Sequence, residues 1–410
     1  MIEIKNLRLE KGPEWTKLVV DITAGRGLSL PESTMWFALP NENADMFNTD
    51  VYDPFVLVSY YMGMYFGQDV KICGKMSKLF YKNLTNYASQ ILDDFSAHTQ
   101  KVELYADGLE VINQTGDIIG ASCSCGVDSF CTIYDHYVNE DDPDYKINSL
   151  FLFNYGSHGR FEDAKSRKLW MDRFALNKRA AEALNLPVYL MDSNMHAFIF
   201  LMYPSDEPVG YLAMYSCVIA LQKRIRKYYI SCDFSYEQTL QLNAAKKDFD
   251  LSEFAAPMFV PLIRTEAVEL IIDLAQYKRS ERLARISDWE IAQKYLNICV
   301  RPLKDGKNCT INCVKCRTAM LILESLGKTE HFRGAFDVDL FRKNIDQVKV
   351  NIVARYRNED LCSHDTVDFV KARGMKLPSF AAATVLHSPQ KIKYLKKKAH
   401  AGNLTFKDFL

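Results

Sequence analysis

Six consecutive residues, Ser124-Cys125-Gly126-Val127-Asp128-Ser129, put two hydroxyls, a glycine and a carboxylate directly after an apolar run. Between a strand and a helix, such a string is a natural phosphate cradle. Backbone N–H groups at a helix start point outward, and the helix dipole favours negative charge. Ser124 and Ser129 add hydroxyl donors, and Gly126 lets the backbone come close to a phosphate. Asp128 is out of place in a simple anion cradle. It serves either as a Mg²⁺ partner or to fix the loop and the second phosphate. Further along, Cys299, Cys309, Cys313 and Cys316 are separated by nine, three and two residues. Four thiolates can close a tetrahedral zinc site with Zn–S near ~2.3 Å. Arg301, Lys304, Lys307, Lys315 and Arg317 surround them and offset the charge of such a centre. A four-cysteine iron–sulfur cluster is the alternative.

The elements that must position these groups are readable from periodicity. Residues 1–115 read as an α+β unit: strand-like runs at Met1–Leu9, Lys17–Ile22, Met35–Leu39, Val70–Cys73 and Val102–Tyr105, with a buried helix at Val51–Phe66 and a helix at Lys78–Phe95. The pattern then changes to strands alternating with helices. Asp117–Ser122, Leu150–Asn154, Val188–Met191 and Lys227–Ser231 read as strands. Phe130–Val138, Phe161–Leu184 and Val209–Arg226 read as the intervening helices. This alternation predicts a doubly wound parallel sheet, with ligand-binding loops after each strand on one edge. Pro257–Leu326 reads as helical, interrupted by the cysteine-rich loop, and Phe336–Leu410 as a charged helical extension. The expected domains are therefore 1–115, 116–330 and 331–410.

The loops after successive strands supply further candidates. Asn154, with His158 and Arg160, follows the second strand of the alternating region. Asp192 and Asn194 follow the third, and Asp233 and Ser235 the fourth. Asn154, Asp192 and Asn194 are placed for adenine or ribose. His158, Arg160, Asp233 and Ser235 are weaker candidates for substrate contact. The same residue types are common in turns and helix caps, so their position after the strands is what singles them out. His136, inside a helix, reads as structural.

The loop lacks Gly-x-x-x-x-Gly-Lys-Ser/Thr and so is not a kinase-type P-loop. It resembles the Ser-Gly-Gly-x-Asp-Ser signature of the PP-loop ATP pyrophosphatases, with Cys125 in place of the first glycine. The cysteine spacing, ending Cys313-Val-Lys-Cys316-Arg317, resembles the zinc motif of 7-cyano-7-deazaguanine synthase within that superfamily. Asp233-Phe234-Ser235-Tyr236 resembles its Asp-Tyr-Ser-Gly-Tyr segment with one residue fewer. Pro261-Leu262 with Thr265-Glu266 resembles its Pro-Leu…Thr-Lys-Ala-Glu helix start. The likeness covers residues 117–325 and not the N-terminal 115 residues or the C-terminal extension. The segment Asn312–Thr318 also resembles a wider group of PP-loop proteins with a similar N-terminal domain. The resemblance implies an adenine-nucleotide α-hydrolase-like fold, with ATP and Mg²⁺ as substrate and Zn²⁺ as structural ion. ATP would contact Ser124, Cys125, Gly126, Val127, Asp128 and Ser129, with Asp128 and Ser129 as the catalytic pair. The implied reaction is adenylation of a carboxylate or carbonyl with release of pyrophosphate, followed by attack of ammonia or an amine. Deazaguanine-type modification or anti-phage defence is the implied setting. A thiolation enzyme, using a persulfide on Cys125 or Cys232, is an alternative on the same fold. A non-catalytic nucleotide-binding scaffold with structural zinc is the other.

Bulk composition is compatible with this and narrows little else. The chain has 410 residues, 48% hydrophobic and 25% charged, which supports a large core without disulfides. Lys+Arg and Asp+Glu are both 51, which speaks against a globally basic nucleic-acid binder. The densest basic run, Lys391–Lys398, reads as a solvated helix face. The N-terminus lacks the apolar core of a secretory signal and no stretch matches a membrane span, so a cytoplasmic chain is expected. The N-terminal domain is a candidate seat for a protein partner or a macromolecular substrate, and its composition does not distinguish the two.

Overall fold

The computed structural model describes residues 1–94, 96, 98–156, 163–202, 210–245, 256–299, 306–356 and 361–386, without the side chains of 242–245. His158, Arg160, Arg301, Lys304 and the basic run 391–398 lie outside them. The chain divides into two compact units, one of residues 1–124 and 132–276, the other of 125–131 and 277–410.

The first unit is α/β. Its strands are β1 (Ile2–Lys11), β2 (Trp15–Thr23), β3 (Thr34–Pro40), β4 (Val70–Ser77), β5 (Leu104–Glu110), β6 (Ile118–Ser122), β7 (Ser149–Asn154), β8 (Val188–Ser193), β9 (Ile225–Ser231) and β10 (Glu269–Asp273). They form one ten-stranded sheet in the order β10-β9-β6-β7-β8-β3-β2-β1-β4-β5. The pairings among β6 to β10 are parallel. The ladders β1–β2, β2–β3 and β3–β8 are antiparallel, and β1–β4 and β4–β5 return to parallel.

The strands of residues 1–115 therefore extend the sheet of the following region instead of forming a sheet of their own. The seam is short: Phe37 faces Ser193 and Ala38 faces Asp192. Alternation in the N-terminal sequence shows that strands exist, but strand partners are set by tertiary packing, which local periodicity does not carry. The second departure is β10. Leu270-Ile271-Ile272 lies in a stretch read as helical, because a short apolar run looks the same in a buried strand and a buried helix. Likewise, Pro261 sits in a 3₁₀ turn (Val260–Leu262), and Thr265 and Glu266 lead into β10, not into a helix.

In the first unit the helices are α1 (Val56–Phe66), α2 (Lys78–Asn83), α3 (Ser89–Asp94), the end of α4 (Val127–Ile133), α5 (Ala164–Ala183), α6 (Met195–Ile199), α7 (Gly210–Ala220), α8 (Tyr236–Ala245) and α9 (Ala256–Phe259). Helices α1 and α7 are apolar nearly all round and buried, as such helices must be. They join β1 to β4, β7 and β9 in one continuous apolar core.

The second unit is helical: α10 (Arg279–Ile286), α11 (Glu290–Tyr295), α12 (Val314–Ser325), α13 (Val338–Arg355) and α14 (Leu361–Ala372). Helix α12 packs against α10, α13 and α14 and buries Met320, Leu321 and Leu323 completely. Residues 125–131, with the start of α4, belong to this unit. Among the described residues, no helix is long and apolar enough to cross a membrane.

Candidate functional site

The loop that follows β6 turns sharply at Cys125, whose φ is +56°. A left-handed backbone suits glycine and costs another residue about 1–2 kcal/mol. Cys125 thus holds the conformation that a glycine would adopt freely, and its side chain is fully buried. Its carbonyl accepts Asn297 N–H at 2.7 Å, which ties the turn to the segment leading to Cys299. Gly126 O accepts Phe130 N–H at 3.0 Å, opening the helical ladder of α4. The N–H groups of the preceding turn are outside that ladder by construction. Ser129 is buried and its hydroxyl donates to Gly126 O at 3.3 Å. Ser124 is exposed.

Asp128 is held by α10. Arg279 donates to one carboxylate oxygen at 2.6 Å and Arg282 to the other at 2.9 Å. Arg282 is fully buried and also donates through Nε to Tyr277 O at 3.1 Å. Burial alone would raise the Asp128 carboxyl, but the two guanidinium groups more than offset this and hold it below the usual carboxylate range. With both oxygens engaged by guanidiniums, this carboxylate is not a fit for Mg²⁺. Of the two roles open from the sequence, the geometry favours fixing the loop. Helix α10 is itself anchored. Asp365 on α14 accepts Ser280 N–H at 2.8 Å and the Ser280 hydroxyl, and burial raises its carboxyl.

The four cysteines converge. Their sulfurs all lie within 4.8 Å of one another, and Cys309 Sγ is 3.6 Å from Cys316 Sγ. Tetrahedral Zn–S bonds of ~2.3 Å imply sulfur separations near ~3.8 Å. An iron–sulfur cluster places irons and sulfides between the thiolates and spreads them; this spacing has room for a single ion. Cys299, Cys309 and Cys316 are buried and Cys313 half-buried. Cys313 caps α12, accepting Cys316 N–H at 3.4 Å. Hydrogen bonding led by Cys316 pulls the Cys313 thiol down, while burial pushes Cys309 up and the adjacent Cys313 pushes Cys316 up. Without a cation the group tolerates little negative charge; a divalent ion removes that conflict.

Asn308 builds the frame of this centre. Its Oδ1 accepts Ile298 N–H at 2.8 Å and Cys299 N–H at 2.9 Å. Its Nδ2 donates to Leu296 O at 2.8 Å and Ala335 O at 2.9 Å. Thr310, at φ +58°, turns the chain between Cys309 and Cys313, and its hydroxyl accepts Asp337 N–H at 3.0 Å.

In the first unit, the strand-end candidates are largely spent on the fold. Asn154 Nδ2 donates to Asp192 Oδ1 at 3.1 Å, and Arg167 donates to Asp192 Oδ2 at 2.8 Å. Asp192 has no exposed surface, and burial pushes its carboxyl up to about 7. Asn194, expected near adenine or ribose, is engaged in the fold. It is fully buried, accepts Trp36 N–H at 2.8 Å, and donates to Glu32 at 2.6 Å and Thr34 O at 2.8 Å. It is thus a tie across the β3–β8 seam. Ser235, a weaker candidate for substrate contact, sits at a helix start: its hydroxyl accepts Gln238 N–H at 3.2 Å and Gln238 Oε1 accepts Ser235 N–H at 3.1 Å. This reciprocal cap starts α8. Asp233 is half-buried and accepts the Tyr211 hydroxyl. His136 stacks on Tyr229 and reaches Asp273 at 3.2 Å.

Sequence reading missed Arg279, Arg282, Asn308 and Arg167. Arg279 and Arg282 carry a signal, since cations three apart share a helix face. Asn308 carries only its adjacency to Cys309. Comparison with family models, with curated proteins and with solved structures returns no match.

Proposed function

We propose that the chain is an ATP-dependent ligase of the PP-loop type. The single observation that carries this is the backbone of Ser124–Ser129: a parallel strand, a left-handed residue where the signature has glycine, then a helix start. The order β8-β7-β6-β9-β10 supports the finer reading of a doubly wound nucleotide-binding sheet, whose switch point falls between β6 and β9. In this reading the loop N–H groups and the Ser124 and Ser129 hydroxyls bind the β,γ-phosphates. Asp128 holds the loop through Arg279 and Arg282. A substrate carboxylate or carbonyl oxygen attacks the α-phosphorus, forming the acyl or imidoyl adenylate and expelling pyrophosphate. Ammonia or an amine then attacks the activated carbon, AMP leaves, and the amine loses a proton. Catalysis is by positioning and charge stabilisation, and no step is routed through Mg²⁺. A single zinc on Cys299, Cys309, Cys313 and Cys316 would hold the loop before α12 in place. A deazaguanine-type heterocycle is the substrate class suggested by the resemblance, and an anti-phage setting goes with it.

Measurement of pyrophosphate release from ATP, with and without cell-extract metabolites, tests the reading. Ser129→Ala and Ser124→Ala together are expected to abolish release while leaving the fold intact. Release unchanged in that double variant rejects the loop as the ATP site. Asp128 between two guanidiniums favours one second reading, a nucleotide-binding scaffold. Saturable ATP binding without turnover in every extract would select it. Burial of both Cys125 and Cys232 offers the thiolation reading no accessible sulfur.

A further inference from the structure

A cavity of about 470 Å³ opens in the first unit at the amino-terminal ends of β9 and β10. Arg226 and Lys227 line it from the start of β9, Arg264 and Glu266 from the turn before β10, Glu269 from β10 itself, and Gln114 from the segment before β6. This is the sheet edge opposite to the strand ends that carry Asn154, Asp192 and Asp233.

The wall is built. Thr265 Oγ1 accepts Ala267 N–H at 3.2 Å and Val268 N–H at 3.1 Å, closing the turn that presents Arg264 and Glu266. Glu266 is pinned by the Ser77 hydroxyl and by Leu79 N–H at 2.8 Å, so its two oxygens are already engaged. The cations are less well matched. Arg264 is exposed and, among the described residues, carries no ion pair or hydrogen bond. Lys227 lies 3.9 Å from Glu269, and its Nζ sits 3.7 Å from the centroid of the Tyr145 ring. Arg226 pairs with Asp144 at 2.9 Å, yet its Nε is buried with no hydrogen-bond partner. With Asp144 on Arg226 and Glu269 near Lys227, Arg264 is the lining cation that has no carboxylate partner among the described residues.

We propose that this cavity binds a small metabolite through an oxyanion, phosphate or carboxylate, seated on Arg264, Arg226 and Lys227. Guanidinium forks match such groups. The volume exceeds a bare phosphate and lies in the range of metabolite pockets. The remainder of the ligand is polar, meeting the Gln114 amide and the Glu269 carboxylate. The site stands independently of the ATP reading, because none of its residues belongs to the loop at 124–129.

Calorimetric titration of the full chain with inorganic phosphate and, separately, with succinate tests this and separates the two sources. Saturable binding of at least one probe is expected, weakened at least tenfold by Arg264→Glu, a change of about 1.4 kcal/mol. Arg264→Gln should weaken it too, and the thermal midpoint of both variants should match the wild type because Arg264 is exposed. Ser129→Ala should leave the titration unchanged. Failure of both probes to saturate overturns the proposal. So does binding that is unaltered by Arg264→Glu, or binding that is lost in Ser129→Ala instead.

Discussion

Arg282, without exposed surface, donates to Asp128 at 2.9 Å across 154 residues of chain. The loop carboxylate and the α10 guanidinium are therefore one electrostatic unit, joined by Arg279 at 2.6 Å.

Breaking that unit should cost stability as well as function. Asp128→Ala removes the carboxylate that buried Arg282 faces, and loss of one partner of a buried pair typically costs about 3–5 kcal/mol. Asp128→Asn keeps an acceptor for one guanidinium and should cost less. Urea denaturation is expected to rank wild type above Asp128→Asn above Asp128→Ala. Equal midpoints for all three would show that the pair contributes nothing. For this reason the serine variants, not Asp128→Ala, are the clean test of ATP chemistry.

Cys125 is conformationally a glycine. Cys125→Gly should change stability by no more than about 1 kcal/mol: relief of left-handed strain is offset by lost thiol burial and a more flexible unfolded chain. Cys125→Val places a β-branched residue at φ +56° and should destabilise clearly more. If Val is tolerated as well as Gly, backbone strain is not what constrains the position. Under the ligase reading, Cys125→Gly also retains pyrophosphate release.

How much of this was legible beforehand differs by type of feature. The cysteine cluster was legible because ligand spacing is local and four thiols have few other uses. The parallel strands β6 to β9 were legible from apolar runs alternating with helices. The β3–β8 seam was not: nothing local in Asn194 distinguishes a strand-end ligand contact from an amide bonded to Trp36 and Thr34. Strand β10 was hidden by the shortness of its apolar run. The partners of Asp128 lie 151 and 154 residues away, and pairings of that range come from topology, not from pattern.

The cysteine centre should hold one zinc per chain, read by elemental analysis of purified protein. Asn308→Ala removes four hydrogen bonds and orphans the buried N–H groups of Ile298 and Cys299. A cost of about 3 kcal/mol is expected, with zinc affinity lowered roughly 10–100-fold, as for other supports of metal ligands. Chelation of the wild type should lower its thermal midpoint. It should shift Asn308→Ala less, since that variant retains less metal. Iron and sulfide in place of zinc would reject the single-ion assignment.

Asp53 gives the fold a defined pH dependence. It is fully buried, its carboxylate accepts Ser77 N–H at 2.8 Å and Gln222 Nε2 at 3.2 Å, and burial pushes it up to about 7. In the unfolded chain it titrates near ~3.9. The folded value is the higher one, so the native state binds the proton more tightly. The stabilisation is complete below the unfolded value and is lost as pH rises through about 7. Its steepest contribution is about 1.4 kcal/mol per pH unit. Asp192, also raised to about 7, acts in the same direction and window. Asp53→Asn should flatten the fall in urea-unfolding stability between pH 5 and pH 8 without eliminating it. Asparagine keeps the acceptor for Ser77, and its new amide faces Gln222, whose Oε1 is buried without a partner and can turn to receive it. The variant should therefore be at least as stable as the wild type at pH 8. A wild-type pH profile retained in full by Asp53→Asn would assign the dependence elsewhere.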